Sequence, residues 1–153
     1  MPVVVGQPVP DFSAESTAGT VRLADYAGRH LVLYFYPKDN TPGCTAESMD
    51  FRDRHDRFVA AGAAILGVSR DSIRSHEGFK SKLGLPFELV SDADERLCTE
   101  YDVIKQKNMY GKKVRGIERS TFLIGPTGTL LREWRGLKVL GHVDEVLAAV
   151  RES

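Results

Sequence analysis

The sequence predicts an α/β fold in which a mixed central β-sheet is flanked by helices. Residues 31–36 and 63–68 are runs of apolar and aromatic side chains, which are typical of strands buried on both faces. Each run is followed by a helix-start signal. Two later strands, residues 119–124 and 129–134, are joined by a Pro-Thr-Gly turn and predict an antiparallel hairpin. Strands that alternate with helices before such a hairpin indicate a sheet with parallel and antiparallel pairs.

The N-terminal part of the chain predicts a β-hairpin extension. Residues 1–10 contain prolines that a helix interior does not tolerate, so they form an extended lead-in. Residues 12–15 and 21–23 are short strand segments on either side of a glycine turn. Residues 24–28 fit one helical turn or a loop. The central strand that follows ends at Pro37, which cannot donate a ladder hydrogen bond.

The next element is a helix over residues 42–61. Thr41 provides a hydroxyl N-cap, Pro42 suits the first helical position, and Gly62 ends the helix. Residues spaced by four, three, four and three positions predict one buried stripe, which consists of Cys44, Ser48, Phe51, His55 and Phe58.

The remaining elements follow from the same signals. Ser72 caps a helix over residues 73–83 that Gly84 terminates. The others are, in chain order, a strand at 86–90, a helix that begins at 91–94 and contains Cys98, an exposed basic loop at 105–113, and an amphipathic helix at 143–151.

Length and charge indicate one neutral domain over residues 1–153. The 21 basic residues balance the 21 acidic ones, so charge gives no reason to expect nucleic acid, a membrane surface or a strongly charged partner. The N-terminus lacks the basic and apolar regions of a signal peptide, and no apolar run approaches the ~20 residues of a membrane span. We expect a cytoplasmic protein.

Cys44 is the candidate nucleophile because it falls at the third position of the predicted helix. The first turn of a helix presents backbone N–H groups without intrahelical partners at the positive end of the macrodipole. A thiolate there is stabilised, so its pKa is expected below the ~8.5 of a free cysteine. The competing interpretation is a small buried apolar residue, but apolar packing requires neither the cap nor the polar loop that precedes this cysteine.

Other kinds of site lack a pattern in this sequence. The two cysteines are too few for a secreted disulfide scaffold and do not form a C-x-x-C pair. The four histidines show no metal-ligand spacing, so no metal site is predicted. The glycine turn near residue 126 lacks the lysine and helix of a phosphate-binding loop.

Residues 37–44, Pro-Lys-Asp-Asn-Thr-Pro-Gly-Cys, match the peroxiredoxin signature P-x-x-x-[T/S]-x-x-C. With the surrounding residues they resemble the peroxiredoxin Q / bacterioferritin comigratory protein branch. The likeness spans nearly the whole chain and includes the Pro-Asp-Phe, Leu-Gly-Val-Ser, Ser-Asp-Ala-Asp and Arg-Ser-Thr-Phe-Leu-Ile segments. The resemblance implies a thioredoxin-like fold and an antioxidant, thiol-dependent peroxidase that reduces hydrogen peroxide and organic hydroperoxides.

The resemblance also implies the roles of individual residues. Cys44 would be the peroxidatic cysteine, Thr41 would hydrogen-bond the thiolate and the peroxide, and Pro37 would shield the pocket. Arg119 matches the family arginine, and a guanidinium beside a thiolate stabilises it. Glu47 either orients Arg119 or is only an acidic residue favoured by the helix dipole. The chemistry requires no metal or organic cofactor.

The chain departs from its relatives at the resolving cysteine. Many members of the branch carry it five residues after the peroxidatic one, where this chain has Met49. Another group carries it in the following helix, and residues 72–83 of this chain contain no cysteine. Cys98 is therefore the internal candidate. We expect a one-cysteine mechanism with an external reductant such as thioredoxin, glutaredoxin or a small thiol. The alternatives are a Cys44–Cys98 disulfide, or a thioredoxin-fold binding or chaperone-like protein without peroxidase activity. The resemblance further implies a monomer.

Overall fold

The chain begins with the predicted hairpin. In the computed structural model, which describes residues 2–153, β1 (Ser13–Ser16) and β2 (Gly19–Arg22) pair antiparallel and a 3-10 turn (Leu23–Tyr26) follows. β1 also joins the central sheet where Ser16 lies opposite Val90. The hairpin extension is confirmed. Met1, the first residue of the predicted lead-in, lies outside the described residues.

The remaining strands build the sheet around the predicted central strand. They are β3 (His30–Phe35), β4 (Ala63–Ser69), β5 (Glu88–Ser91), β6 (Ile104–Met109), β7 (Lys112–Ile117), β8 (Ser120–Ile124) and β9 (Leu130–Arg135). Within residues 2–153 the central sheet has seven strands in the order β2-β1-β5-β4-β3-β8-β9. β3, β4 and β5 run parallel, whereas β8 is antiparallel to β3 and β9 to β8. The predicted mixed sheet is confirmed.

The helices are α1 (Pro42–Asp53), α2 (His55–Ala60), α3 (Ile73–Leu83), α4 (Arg96–Glu100) and α5 (His142–Glu152). The prediction of one helix over residues 42–61 is wrong at Arg54, where φ is −109° and ψ is 5°. The N–H of Arg54 turns to the carbonyl of Arg52, and its guanidinium contacts the carbonyl of Asp50 at 3.3 Å and Asp144 of α5 at 2.6 Å. These side-chain contacts lie at a break between α1 and α2 that has no glycine or proline to predict it.

The central sheet separates two hydrophobic clusters. Alternate side chains of β3 point to opposite faces, so Leu33 and Tyr34 belong to different clusters. One face packs against α4 and the N-terminal segment, and it contains Cys98. The other packs against α1, α2, α3 and α5, and it contains Cys44. The two cysteines therefore lie on opposite sides of the sheet.

The predicted basic loop at residues 105–113 is a two-stranded ribbon instead. β6 and β7 pair antiparallel outside the central sheet, from Ile104 opposite Ile117 to the turn at Tyr110 and Gly111. Both turn residues have positive φ, 53° and 76°, as a two-residue hairpin turn requires. The strands are rich in exposed lysine and lack the apolar alternation that predicts a strand. Among residues 2–153 no helix has the length and apolar character that a bilayer crossing requires.

Candidate active site

The loop between β3 and α1 positions the candidate nucleophile at the carboxyl end of the parallel strands. Pro37 is half-buried at the end of β3, and Thr41 precedes α1 with extended backbone angles of φ −92° and ψ 153°. The Thr41 hydroxyl donates to the carbonyl of Lys38 at 2.8 Å. Within residues 2–153 it forms no capping hydrogen bond, so that predicted bond is wrong, although Thr41 does occupy the N-cap position. The hydroxyl closes the loop on itself instead of capping the helix.

Cys44 lies at the third position of α1, as the sequence predicts. Its side chain is buried, at 1% exposure, and its thiol is free. Nη2 of Arg119 donates to its Sγ at 3.4 Å. A positively charged donor thus faces the sulfur, which carries the negative charge when the thiol ionises.

Arg119 lies between β7 and β8 and contacts two residues of α1. While Nη2 faces Cys44, Nη1 donates to Oε1 of Glu47 at 2.8 Å. Burial alone would lower the pKa of Arg119, but the charges of Glu47 and Cys44 beside it raise that pKa, so the guanidinium is fixed as a cation. The fork geometry of the guanidinium allows one residue to hold both partners.

Glu47 is completely buried beneath this guanidinium. Its Oε2 has no hydrogen-bond partner among the described residues. Burial raises the pKa of Glu47 to about 7, against the opposing pull of Arg119. Of the two roles considered for Glu47, the geometry favours orientation of Arg119, because Glu47 lies beyond the first turn of α1.

Gly43 belongs to the site although the sequence does not single it out. A Cβ atom at this position would lie 2.9 Å from Nη2 of Arg119, which is closer than real Cβ atoms approach other atoms. A glycine here lets the guanidinium reach the sulfur. The only sequence signal is its place next to the cysteine within the motif.

One group of described residues offers ligand types suitable for a metal. The donor atoms of Asp39, Asp71 and His76 all lie within 4.8 Å of one another. These atoms also hydrogen-bond within the group: His76 Nδ1 lies 2.8 Å from Asp39 Oδ2, and the Asp39 N–H donates to Asp71 at 2.9 Å. The group is thus a satisfied polar network below the loop that precedes α1.

Comparison with known families matches residues 5–132 to the AhpC/TSA family. The chain belongs to the AhpC/TSA family. It is 56% identical over 142 residues to the Peroxiredoxin Bcp of Xanthomonas campestris pv. campestris, covering 92% of this chain and 89% of that protein. It is 49% identical over 153 residues to the Peroxiredoxin Bcp of Bacillus subtilis, covering 99% of this chain and 98% of that protein.

Solved structures agree with these sequence relatives. The structure of Xanthomonas campestris peroxiredoxin Q has a TM-score of 0.90 and 52% identity over 97% of each chain. A cysteine mutant of PrxQ from Xylella fastidiosa has a TM-score of 0.94 and 44% identity, covering 99% of this chain and 98% of that one. The predicted thioredoxin-like fold and the predicted branch, peroxiredoxin Q/Bcp, are confirmed. The chain is a thiol-dependent peroxidase whose substrate is a peroxide and whose reductant is a thiol; a non-peroxidase binding protein is not favoured.

Arg119 contacts both Cys44 and Glu47 of the candidate site, whereas Cys98 lies elsewhere. Cys98 is buried in α4, on the far face of the sheet, and its N–H donates to Asp92 at 2.8 Å. Burial, together with the neighbouring Asp92 carboxylate, raises the pKa of the Cys98 thiol far above its ordinary value. A thiol in this environment is a poor nucleophile.

Proposed function

We propose that Cys44 is the peroxidatic residue of this peroxiredoxin and that it reduces hydrogen peroxide and organic hydroperoxides. The observation that carries the proposal is the contact between the Arg119 guanidinium and Cys44 Sγ at 3.4 Å, at the start of a helix. The Xanthomonas campestris bacterioferritin comigratory protein, 51% identical to this chain, has been studied for alkyl peroxide reduction. That similarity supports the organic substrates.

In the first step the Cys44 thiolate attacks one oxygen of the peroxide. The S–O bond forms as the O–O bond breaks, sulfur is oxidised to a sulfenic acid, and the leaving oxygen takes a proton to become an alcohol or water. Negative charge spreads from sulfur over both oxygens in the transition state. The Arg119 guanidinium and the free N–H groups at the start of α1 are donors already fixed beside this charge.

Thr41 contributes as an acceptor rather than as a donor. Its hydroxyl hydrogen is committed to the carbonyl of Lys38, so its oxygen has lone pairs available for the O–H of a peroxide. Pro37, half-buried at the end of β3, shields the pocket from water. Glu47 holds the guanidinium in the orientation that reaches the sulfur.

The sulfenic acid is reduced by an external thiol. One thiol attacks the sulfur and releases water to form a mixed disulfide, and a second thiol displaces Cys44 and leaves as the disulfide. The position of Cys98 beyond the sheet supports this one-cysteine cycle over a Cys44–Cys98 disulfide. Thioredoxin, glutaredoxin and small thiols are the reductants to test. We place this cycle in a single-domain monomer in the cytoplasm, whose reducing conditions supply the thiols.

Intact mass after one equivalent of hydrogen peroxide tests both parts of the proposal. We expect wild type and Cys98→Ser to gain ~16 mass units as the sulfenic acid, or ~32 as the sulfinic acid. Cys44→Ser should gain none and lose all thiol-dependent peroxide consumption, whereas Cys98→Ser should retain it. A loss of two mass units that disappears in Cys98→Ser would instead establish the disulfide mechanism.

A further inference from the structure

A buried carboxylate lies below the loop that carries Thr41. Asp39 is only 4% exposed, and its carboxylate accepts hydrogen bonds from the Tyr36 hydroxyl at 2.7 Å, from the Ser75 hydroxyl at 2.8 Å and from His76 Nδ1 at 2.8 Å. Burial alone would raise the pKa of Asp39, but the hydrogen bonds from His76 and Tyr36 lower it. One side chain thereby fastens the loop to Tyr36, which directly follows β3, and to α3.

The partner of Asp39 is a fully buried imidazole whose two nitrogens both face acceptors. His76 is 0% exposed, and its Nε2 lies 2.9 Å from the carbonyl of Val90. A carbonyl oxygen only accepts, so Nε2 carries a hydrogen. Nδ1 lies 2.8 Å from Oδ2 of the Asp39 carboxylate, so the two side chains are joined by a hydrogen bond. The result is a buried hydrogen-bonded pair with both members anchored in the protein.

The backbone of the loop is held as firmly as the side chain. The Asp39 N–H donates to Oδ2 of Asp71 at 2.9 Å, and the Ser69 hydroxyl donates to the same oxygen at 2.6 Å. The next residue, Asn40, is left-handed with φ of 64°, a conformation that persists where its surroundings impose it. Thr41 follows directly. Asp39 therefore fixes the turn that sets the position of the Thr41 oxygen and the first turn of α1.

We propose that Asp39 and His76 form a positioning pair for the peroxidase reaction: they fix the loop so that Thr41 and the first N–H groups of α1 are aimed at a peroxide bound at Cys44. The inference rests on the proposed role of Cys44. Asp39 and His76 act through the loop backbone rather than on the reacting atoms. A displacement of ~1 Å in a catalytic group costs about 100-fold in rate, so a loosened loop has a large kinetic effect.

Two reagents separate positioning from general damage. Peroxide oxidation of Cys44 requires a thiolate and the aligned donors, whereas alkylation by iodoacetamide requires only a thiolate that the reagent can reach, so both rates are compared on their high-pH plateaus. In Asp39→Ala we expect the rate constant for Cys44 oxidation by hydrogen peroxide to fall by about 100-fold, while alkylation of Cys44 stays equal or becomes faster. Both rates are measured by rapid mixing, acid quench and intact mass.

Asp39→Asn provides the conservative variant. Its amide oxygen still accepts from the Tyr36 hydroxyl and its NH2 group can donate to Nδ1 of His76, so the pair keeps a hydrogen bond without the carboxylate charge. We expect its peroxide rate to recover to within about 5-fold of wild type. Thr17→Ala is the matched control: it removes two hydrogen bonds, to Glu88 and from the N–H of Leu89, at the outer part of the sheet, and should leave the peroxide rate unchanged.

The proposal is overturned if Asp39→Ala oxidises as fast as Thr17→Ala, or if its oxidation and alkylation rates fall in parallel. If Asp39→Ala does not fold, Tyr36→Phe and Ser75→Ala each remove one donor to Asp39 and are measured in the same way. In each variant the rate of peroxide oxidation should fall at least about 3-fold without slower alkylation. If neither variant loses rate, the proposed positioning pair is rejected. A wild-type protein whose Cys44 fails to react with peroxide contradicts the proposed function, which is a different result.

Discussion

At the scale of single residues, the site depends on the fork geometry of one arginine. Arg119 uses separate nitrogens for Glu47 and Cys44, so the contact that orients the guanidinium and its contact with the sulfur come from the same side chain. An ammonium group carries the same charge but has no pair of nitrogens at fixed spacing. Charge alone does not reproduce this arrangement.

Arg119→Lys should therefore lower the rate constant for Cys44 oxidation by about 100-fold, as the loss of a fixed donor to a developing negative charge does in other enzymes. Arg115→Lys is the matched control, because Arg115 also holds a carboxylate with two nitrogens, that of Glu95, but does so at the surface. Single-turnover oxidation of both variants checks the prediction. Equal rates for the two variants would contradict it.

Glu47 should make stability depend on pH. Its pKa rises to about 7 in the folded protein from an ordinary 4.5, so the folded chain holds this proton more tightly than the unfolded chain. The free energy of unfolding therefore decreases as pH rises from about 4.5 through 7. Relative to Glu47→Gln, wild type should lose up to ~3 kcal/mol across this range.

Urea unfolding of wild type and Glu47→Gln at pH 5 and pH 8 measures this difference. Burial lowers the pKa of His142 to about 4, so the unfolded chain binds this proton more tightly than the folded chain. His142 therefore has the opposite effect: it lowers the free energy of unfolding as pH falls. It is present in both proteins and cancels in the difference. Parallel pH curves for the two proteins would show that Glu47 does not titrate in this range.

Gly43→Ala should separate activity from stability. The added Cβ lies 2.9 Å from the Arg119 nitrogen that faces Cys44, so the guanidinium has to move. Alanine favours a helix by up to ~1 kcal/mol over glycine, which offsets the crowding. We expect about a 10-fold slower oxidation of Cys44 with little change in the thermal midpoint. A large drop in the midpoint would indicate general misfolding.

At the scale of elements, α3 shows how one residue type acts differently along a helix. Gly84 ends α3 in a left-handed conformation with φ of 64°, whereas Gly78 lies within the helix, and beyond the adjacent helix backbone its Cβ position faces open space. The same substitution should have opposite effects at these positions, because the backbone conformations differ.

Gly84→Ala should lower the free energy of unfolding by about 1 kcal/mol, and Gly78→Ala should raise it by ~0.5–1 kcal/mol. Urea denaturation of the pair checks both signs at once. Since both residues belong to the helix that carries Ser75 and His76, peroxide oxidation of the two variants also shows whether helix stability alone affects the site. A Gly84→Ala variant as stable as wild type would contradict the left-handed cap.

The helices show where sequence patterns suffice to predict the bounds of an element and where they fail. Helix α3 has a serine cap and a glycine terminator, and its bounds are predicted correctly. The break at Arg54 is not predicted, because the apolar spacing continues through it from Phe51 to Phe58. It coincides with an ion pair between Arg54 and Asp144, which are 90 residues apart. Such contacts cannot be derived from local patterns.

At the scale of the whole molecule, topology determines which predicted site residues meet. Cys44 and the helix start are local features, and the sequence identifies them. Arg119 reaches them only because β8 lies beside β3, and it is recognised through family resemblance rather than through its spacing. Asp39 lies in the recognised motif, but the sequence does not show that it is buried. Its burial depends on Ser75 and His76 of α3, which contact its carboxylate only in the folded protein.

In the one-cysteine cycle proposed above, the sheet that lies between Cys44 and Cys98 also determines how long the oxidised enzyme survives. Without a thiol on the same face, the lifetime of the sulfenic acid is set by the concentration of reductant outside the protein. A second peroxide competes with that reductant, and its product, the sulfinic acid, is not recovered by thiols. The fraction of enzyme inactivated per turnover should therefore scale with the ratio of peroxide to thiol, which makes the accumulated sulfinic form a record of past oxidative exposure.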